Sequence, residues 1–251
     1  MEQRAEAPRR VAVVTGGGQG IGLAIGEQLA AEGAHVVVAD LNAENGMRAA
    51  DHLGGSYVAM DVTDISSIAR AASEVFRSLG RVDILVNNAG IAHEDASLDL
   101  SMETWNRVMA INLTGPFAVT REFGRIMTEQ GSGAVVNISS ISAFVGTSPE
   151  FHLAYDVSKA GVSQMARTLA VEWAPLGVRV NAVAPGRTRT PILEGVGDSD
   201  PGRMEQWLAQ VPQRRIFEPA EVAAAVCFLA SEAASGITGH TMVVDGGQTV
   251  S

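Results

Sequence analysis

Tyr155 and Lys159 stand four positions apart in Tyr155-Asp156-Val157-Ser158-Lys159. On a helix that spacing puts both side chains on one face. A phenol titrates near pH 10, too high for efficient base catalysis at neutrality, and a nearby ammonium favours the phenolate. The pair could therefore move a proton on or off an alcohol or carbonyl oxygen. The same spacing occurs on many plain amphipathic helices, so the chemistry depends on what else the chain assembles around it.

A second cluster lies near the start of the chain, where the apolar run 11–15 leads into Thr15-Gly16-Gly17-Gly18-Gln19-Gly20-Ile21-Gly22. Glycines permit a tight turn and close backbone approach of a pyrophosphate, and a following helix N-terminus offers free N–H groups and a favourable dipole. The spacing is G-x-x-x-G-x-G. Asp40 ends the next apolar run 18 positions beyond Gly22, where a carboxylate can accept from the hydroxyls of an adenosine ribose. It would repel a 2′-phosphate, and no Lys or Arg lies in 16–22 or just after Asp40 to hold one. NAD is the expected cofactor, in preference to NADP.

The elements that must position these groups follow a regular rhythm. Short β-branched runs (11–15, 34–39, 57–60, 84–86, 133–138 and 178–182) alternate with helical patterns at 21–32, 43–53, 65–79, 104–130 and 152–173. Such alternation implies an α/β fold, a doubly wound parallel sheet with helices on both faces. Between Pro185 and Pro212 the residues Pro191, Gly195, Gly197, Pro201 and Gly202 interrupt regular structure, and a substrate lid is expected at about 187–212. A helix near 219–230 and a last strand near 241–244 complete a single domain over 1–251.

With 46% hydrophobic residues the chain can build a full core, while a net charge of −10 with scattered cations argues against a nucleic-acid partner. The single cysteine, Cys227, reads as a helix core residue, and no metal is expected. The polar residues 1–10 lack the apolar segment of a secretion signal, and no run approaches a membrane span. No membrane partner is expected, and a cytoplasmic location follows by default.

Taken together, the turn at 15–22, Asn87-Asn88-Ala89-Gly90 and the Tyr155/Lys159 pair resemble the short-chain dehydrogenase/reductase family, in its motif order and over 11–247. The resemblance implies an oxidoreductase in which the cofactor takes the hydride of a CH–OH group and the protein handles the proton. It assigns Ser140, in Asn137-Ile138-Ser139-Ser140, to the substrate oxygen and Asn112 to a proton relay behind Lys159. Tyr155 and Lys159 complete that set. The cofactor would lie along Gly16, Gln19, Gly20, Ile21, Gly22 and Asp40, with Asp61 and Val62 beside the adenine. Asn88, Ala89 and Gly90 would line its cleft, Tyr155 and Lys159 would touch its nicotinamide ribose, and Pro185, Gly186, Thr188 and Thr190 its nicotinamide amide.

The separation of Ser140 from Tyr155 is two residues longer than the family pattern, which implies an insertion between Phe144 and Leu153. Substrate contacts are expected from 91–94, from this insertion and from the lid. His93, Glu94, Glu150, His152, Arg187 and Arg189 would suit a polyhydroxylated or carboxylated compound, although each taken singly reads as a solvated loop residue. Phe144, Phe151, Ile192, Leu193 and Trp207 would suit an apolar one. A sugar, polyol or hydroxy acid is the expected small-molecule substrate. Alternatives are a 3-oxoacyl thioester reductase, a steroid or other cyclic alcohol, and a catalytically silent nucleotide sensor or scaffold. Apolar residues on the helices at 104–130 and 152–173, together with the resemblance, imply a homo-oligomer, a dimer or tetramer.

Overall fold

The computed structural model describes residues 9–190, 193 and 201–251. Seven strands form one sheet: β1 (Val11–Thr15), β2 (His35–Asp40), β3 (Ser56–Ala59), β4 (Ile84–Asn87), β5 (Gly133–Ile138), β6 (Val178–Pro185) and β7 (Thr241–Val244). All pairs are parallel and the order is β3-β2-β1-β4-β5-β6-β7. The expected doubly wound α/β fold is what the chain forms.

Alternate residues along the strands feed two cores, because successive side chains leave opposite faces of a strand. Val13, Val37, Leu85, Val135 and Val180 pack with α3 (Ile65–Leu79), α5 (Gly115–Gln130) and α6 (Leu153–Trp173), through Ile68, Phe123 and Ala166. Val14, Val36, Val38, Val86 and Val136 pack on the other face against Ile25 and Leu29 of α1 (Gly20–Ala31) and Val222 and Val226 of α8 (Pro219–Ala230). Burial on both faces explains why the strands read as unbroken runs of β-branched residues. Cys227 sits 1% exposed in this second core, and burial pushes its thiol up to about 12.

Strand β1 pairs with β2 on one side and β4 on the other. Strand order reverses there, and a crevice opens beyond the carboxyl ends of the two strands. The glycine turn follows β1, and Asn88 to Gly90 follow β4. Helix α2 (Ala43–Leu53) leads from Asp40 to β3.

Two local features depart from expectation. The helix expected at 104–130 is α4 (Met102–Met109), a π-helical turn (Ala110–Thr114) and α5. The Gly115 N–H bonds to the Ala110 carbonyl five residues back, and Pro116 has no N–H for the carbonyl of Asn112 four residues back. A wider turn accommodates that missing bond, as π-bulges do at functional sites. In the expected lid, residues 191, 192 and 194–200 lie outside the described residues, but Pro201–Gln210 form a helix, α7. Pro and Gly open it at positions where a helix tolerates them, and 203–210 are good helix formers.

Candidate active site

A cleft of about 910 Å³ lies over the carboxyl ends of the strands. Gly16, Gln19, Gly20, Ile21, Asp40, Asp61 and Val62 line it, as do Asn88, Ala89, Gly90, Ser140, Tyr155, Lys159, Pro185, Gly186, Thr188 and Thr190. Two predicted residues stand just behind the wall. Gly22 is buried in the first turn of α1, and any Cβ there would collide with the Gly16 carbonyl oxygen. Asn112 is fully buried in the π turn.

The glycine turn is held open by specific bonds. Gly16 adopts φ +61, and a Cβ there would stand 3.0 Å from the Ala89 Cα, so the turn and the β4 loop approach more closely than a side chain allows. The Thr15 hydroxyl accepts from the N–H groups of both Asn88 (2.9 Å) and Ala89 (3.0 Å). The Asn88 amide returns two bonds, to the carbonyls of Thr15 and Gly16. Asp40 accepts from the Gly18 and Asn42 N–H groups, both at 2.9 Å, which fixes its carboxylate at the rim of the cleft. Arg48, the first cation after Asp40, is bonded to Asn45 at 2.9 Å. An open turn at a helix N-terminus and a pre-oriented carboxylate fit a dinucleotide.

Around Tyr155 the two serines divide their work. Ser139 points its hydroxyl into the protein, at 2.9 Å from the Lys159 carbonyl oxygen and 2.7 Å from the Ser163 hydroxyl. Ser140 lines the cleft, and its hydrogen bond to Tyr155 pulls that phenol down. Burial is the larger influence, and the phenol stays above its ordinary value, with the Asp156 carboxylate pushing the same way. The expected lowering by Lys159 therefore does not prevail in the chain by itself. The Lys159 ammonium lies 5.6 Å from the Tyr155 ring centre and donates to the Ile138 carbonyl at 2.8 Å. Burial alone brings it down to about 8.

Asn112 bonds the chain after β4 in both directions: its amide donates to the Ile91 carbonyl (2.8 Å) and its oxygen accepts from the Ile91 N–H (2.9 Å). The same amide donates to Ser158, whose hydroxyl donates to the Tyr155 carbonyl at 2.6 Å. Asn112 thus connects the cofactor-side loop to the helix that carries Tyr155 and Lys159.

The residues expected to meet substrate separate sharply. Glu150, between Phe144 and Leu153, is 4% exposed and ion-paired with Arg187, which corrects the solvated-loop reading of both. Burial pushes the Glu150 carboxyl up, but Arg187 and the hydrogen bonds from Arg187 and Trp207 outweigh it and hold it below its ordinary value. His152 and Thr147 also line the cleft, bonded to each other at 3.2 Å. His93 pairs with Asp95, Glu94 with Arg203, and Arg189 with Glu218. Phe144 and Phe151 are 45% and 65% exposed, and neither belongs to the cleft wall, whereas Leu193 and Trp207 do. Ile192 lies outside the described residues. Among the described residues no group of three or more metal-ligating side chains is brought together.

A family profile described as enoyl-(acyl carrier protein) reductase matches residues 16–249. The chain belongs to the short-chain dehydrogenase/reductase family. Members are oxidoreductases that act on CH–OH groups with a nicotinamide cofactor, either NAD or NADP. A galactitol 2-dehydrogenase (L-tagatose-forming) of Cereibacter sphaeroides is 45% identical over 242 residues, 95% of this chain and 94% of the relative. A cis-4-hydroxycyclohexanecarboxylate dehydrogenase of Sinomonas cyclohexanicum is 42% identical over 245 residues, 96% of each chain. The crystal structure of gox2181 superposes with a TM-score of 0.95 at 43% identity, covering 98% of this chain and 97% of that one.

Proposed function

We propose that this short-chain dehydrogenase/reductase moves a hydride between NAD and a secondary alcohol of a polyol, sugar or hydroxy acid. The observation that carries this reading is the placement of Ser140, Tyr155 and Lys159 in the same cleft as the fixed carboxylate of Asp40. When bound, the nicotinamide supplies the hydride acceptor. Asp40 accepts from the adenosine ribose hydroxyls and disfavours a 2′-phosphate. Ser140 donates to the substrate oxygen and orients it toward Tyr155. Tyr155 takes the alcohol proton; burial holds its phenol above the ordinary value, so the positive charges of Lys159 and of the oxidised cofactor are what would make it competent. Lys159 also holds the nicotinamide ribose hydroxyls, while Asn112 secures the helix of Tyr155 and Lys159 and carries the proton relay outward.

The galactitol and hydroxycyclohexanecarboxylate relatives support a polyhydroxylated or carboxylated alcohol. The thioester-reductase alternative draws on NADPH and a basic docking patch, and Asp40 and the net charge of −10 weigh against it. The test is initial rates of NADH formation over a panel of polyols, sugars and hydroxy acids, with NAD and NADP in parallel. Turnover of one of these classes with NAD at least tenfold ahead of NADP is expected. A preference for NADP, or no turnover of the panel despite NADH binding, overturns the reading.

Self-association is proposed as well. Phe117 of α5 and Val171 of α6 are 47% and 81% exposed, apolar side chains that a second copy of the chain could cover. Sedimentation velocity giving a dimer or tetramer is the expected result.

A further inference from the structure

The segment before Tyr155 brings the Glu150 carboxylate against Arg187, in the chain after β6. Arg187 meets Glu150 with two parallel bonds, Nη1 to Oε1 and Nη2 to Oε2, each 3.2 Å. Their side chains are 10% and 4% exposed. Trp207 of α7 locks the pair: its ring lies 4.4 Å from the Arg187 guanidinium, and its indole N–H donates to Glu150. All three residues line the cleft that holds Tyr155. On the same wall, Arg203 is bonded to the Glu94 carboxylate at 2.8 and 3.2 Å.

A guanidinium beside a substrate cleft is a strong carboxylate receptor, because its fork of N–H groups matches the two carboxylate oxygens. Here the Arg187 fork is already occupied by the protein's own carboxylate. A substrate carboxylate reaching this pair would meet charges that already cancel, with both terminal nitrogens of Arg187 engaged, and would give up its own hydration there without a compensating cation from the pair. A hydroxyl pays no such penalty.

Resting on the polyol or hydroxy-acid reading above, we propose that Glu150 is a specificity-determining residue: by occupying Arg187, it makes the cleft select a neutral polyol over the hydroxy-acid anion of the same chain length. The substrate class is thereby narrowed to compounds whose flanking groups are hydroxyls.

The experiment compares kcat/KM for threitol and threonate with NAD, a pair that differs by a terminal CH2OH against a carboxylate. The wild type should favour threitol at least tenfold. Glu150→Gln keeps an oxygen for Trp207 and Arg187 but frees the cation, and should move the ratio at least tenfold toward threonate. Arg187→Gln leaves the carboxylate unopposed and should move it the other way. A merely structural role would depress both substrates together in both variants. Melting curves and NADH binding check that the variants are folded, and if Glu150→Gln fails that check the Arg187→Gln arm and the wild-type ratio still decide. A wild-type preference for threonate, or ratios unmoved within twofold in the folded variants, overturns the proposal while leaving the dehydrogenase reading intact. Failure of the wild type to oxidise either compound, with turnover elsewhere in the panel, also overturns it; failure across the whole panel brings down the proposed function itself.

Discussion

The Lys159 ammonium donates to the carbonyl oxygen of Ile138 at 2.8 Å, so the positive charge nearest Tyr155 is anchored on the last residue of β5. It is a buried cation without a carboxylate, and burial brings it down from 10.5 to about 8. Such a group works against the fold that holds it. Because the unfolded chain keeps the proton up to about 10.5, the folded protein is penalised in full below pH 8 and recovers as pH rises from 8 to 10.5. The shift corresponds to roughly 3 kcal/mol. Lys159→Met should abolish turnover and weaken cofactor binding, yet raise the pH 7 urea midpoint of the cofactor-free protein. Loss of the Ile138 bond offsets about 1 kcal/mol of that gain. Urea midpoints measured from pH 7 to 10 should climb in the wild type more than in the variant; parallel curves would disprove the assignment.

Tyr155→Phe removes one oxygen from the cleft and leaves the ring in place. Turnover should fall by about three orders of magnitude or more, the scale of losing both acid–base and orienting roles, while NADH fluorescence titration gives an affinity within a few-fold of wild type. Activity retained within a few-fold would assign the proton to another group.

Asp40→Ala removes the acceptor for the ribose hydroxyls and also frees the Gly18 and Asn42 N–H groups. The kcat/KM with NAD should drop by about tenfold or more, as expected for lost charge-assisted bonds, and the NAD:NADP ratio should shrink. An unchanged ratio would show that the carboxylate does not read the 2′ position.

Gly22→Ala places a methyl group against the Gly16 carbonyl oxygen. Overpacking of this kind costs roughly 1–3 kcal/mol, and because the clash lies in the phosphate turn it should appear both as a lower melting temperature and as weaker NADH binding. Gly33→Ala, where a Cβ meets nothing within 4 Å but φ is +87, should lower the melting temperature alone.

Much of this architecture was legible because it is written in local pattern. The β-branched runs, the glycine turn and the i, i+4 pair each reflect contacts within a few residues, and they correctly foretold the sheet and brought Tyr155, Lys159 and Asp40 to one cleft. The π turn at Asn112 was not legible: 104–130 has uninterrupted helical periodicity, and only the position of Pro116 four residues after Asn112 hinted at a missing bond. Glu150 was misread for a different reason. A carboxylate in a Pro- and Thr-containing loop looks solvated until its partners are known, and these lie 37 and 57 residues further on. Helix α7 was hidden behind its own Pro201-Gly202, which read as a break and proved to be a start.

The Thr15 hydroxyl, which receives the N–H groups of Asn88 and Ala89 together, splices the mouth of the first βα unit to that of the fourth. If a pyrophosphate seats on the glycine turn, the same two bonds would carry its ordering to the loop after β4, and part of the entropic cost of assembling the pocket would fall on the first partner to bind. On the NAD and polyol reading the expected kinetic order is coenzyme first and alcohol second, and product-inhibition patterns check it.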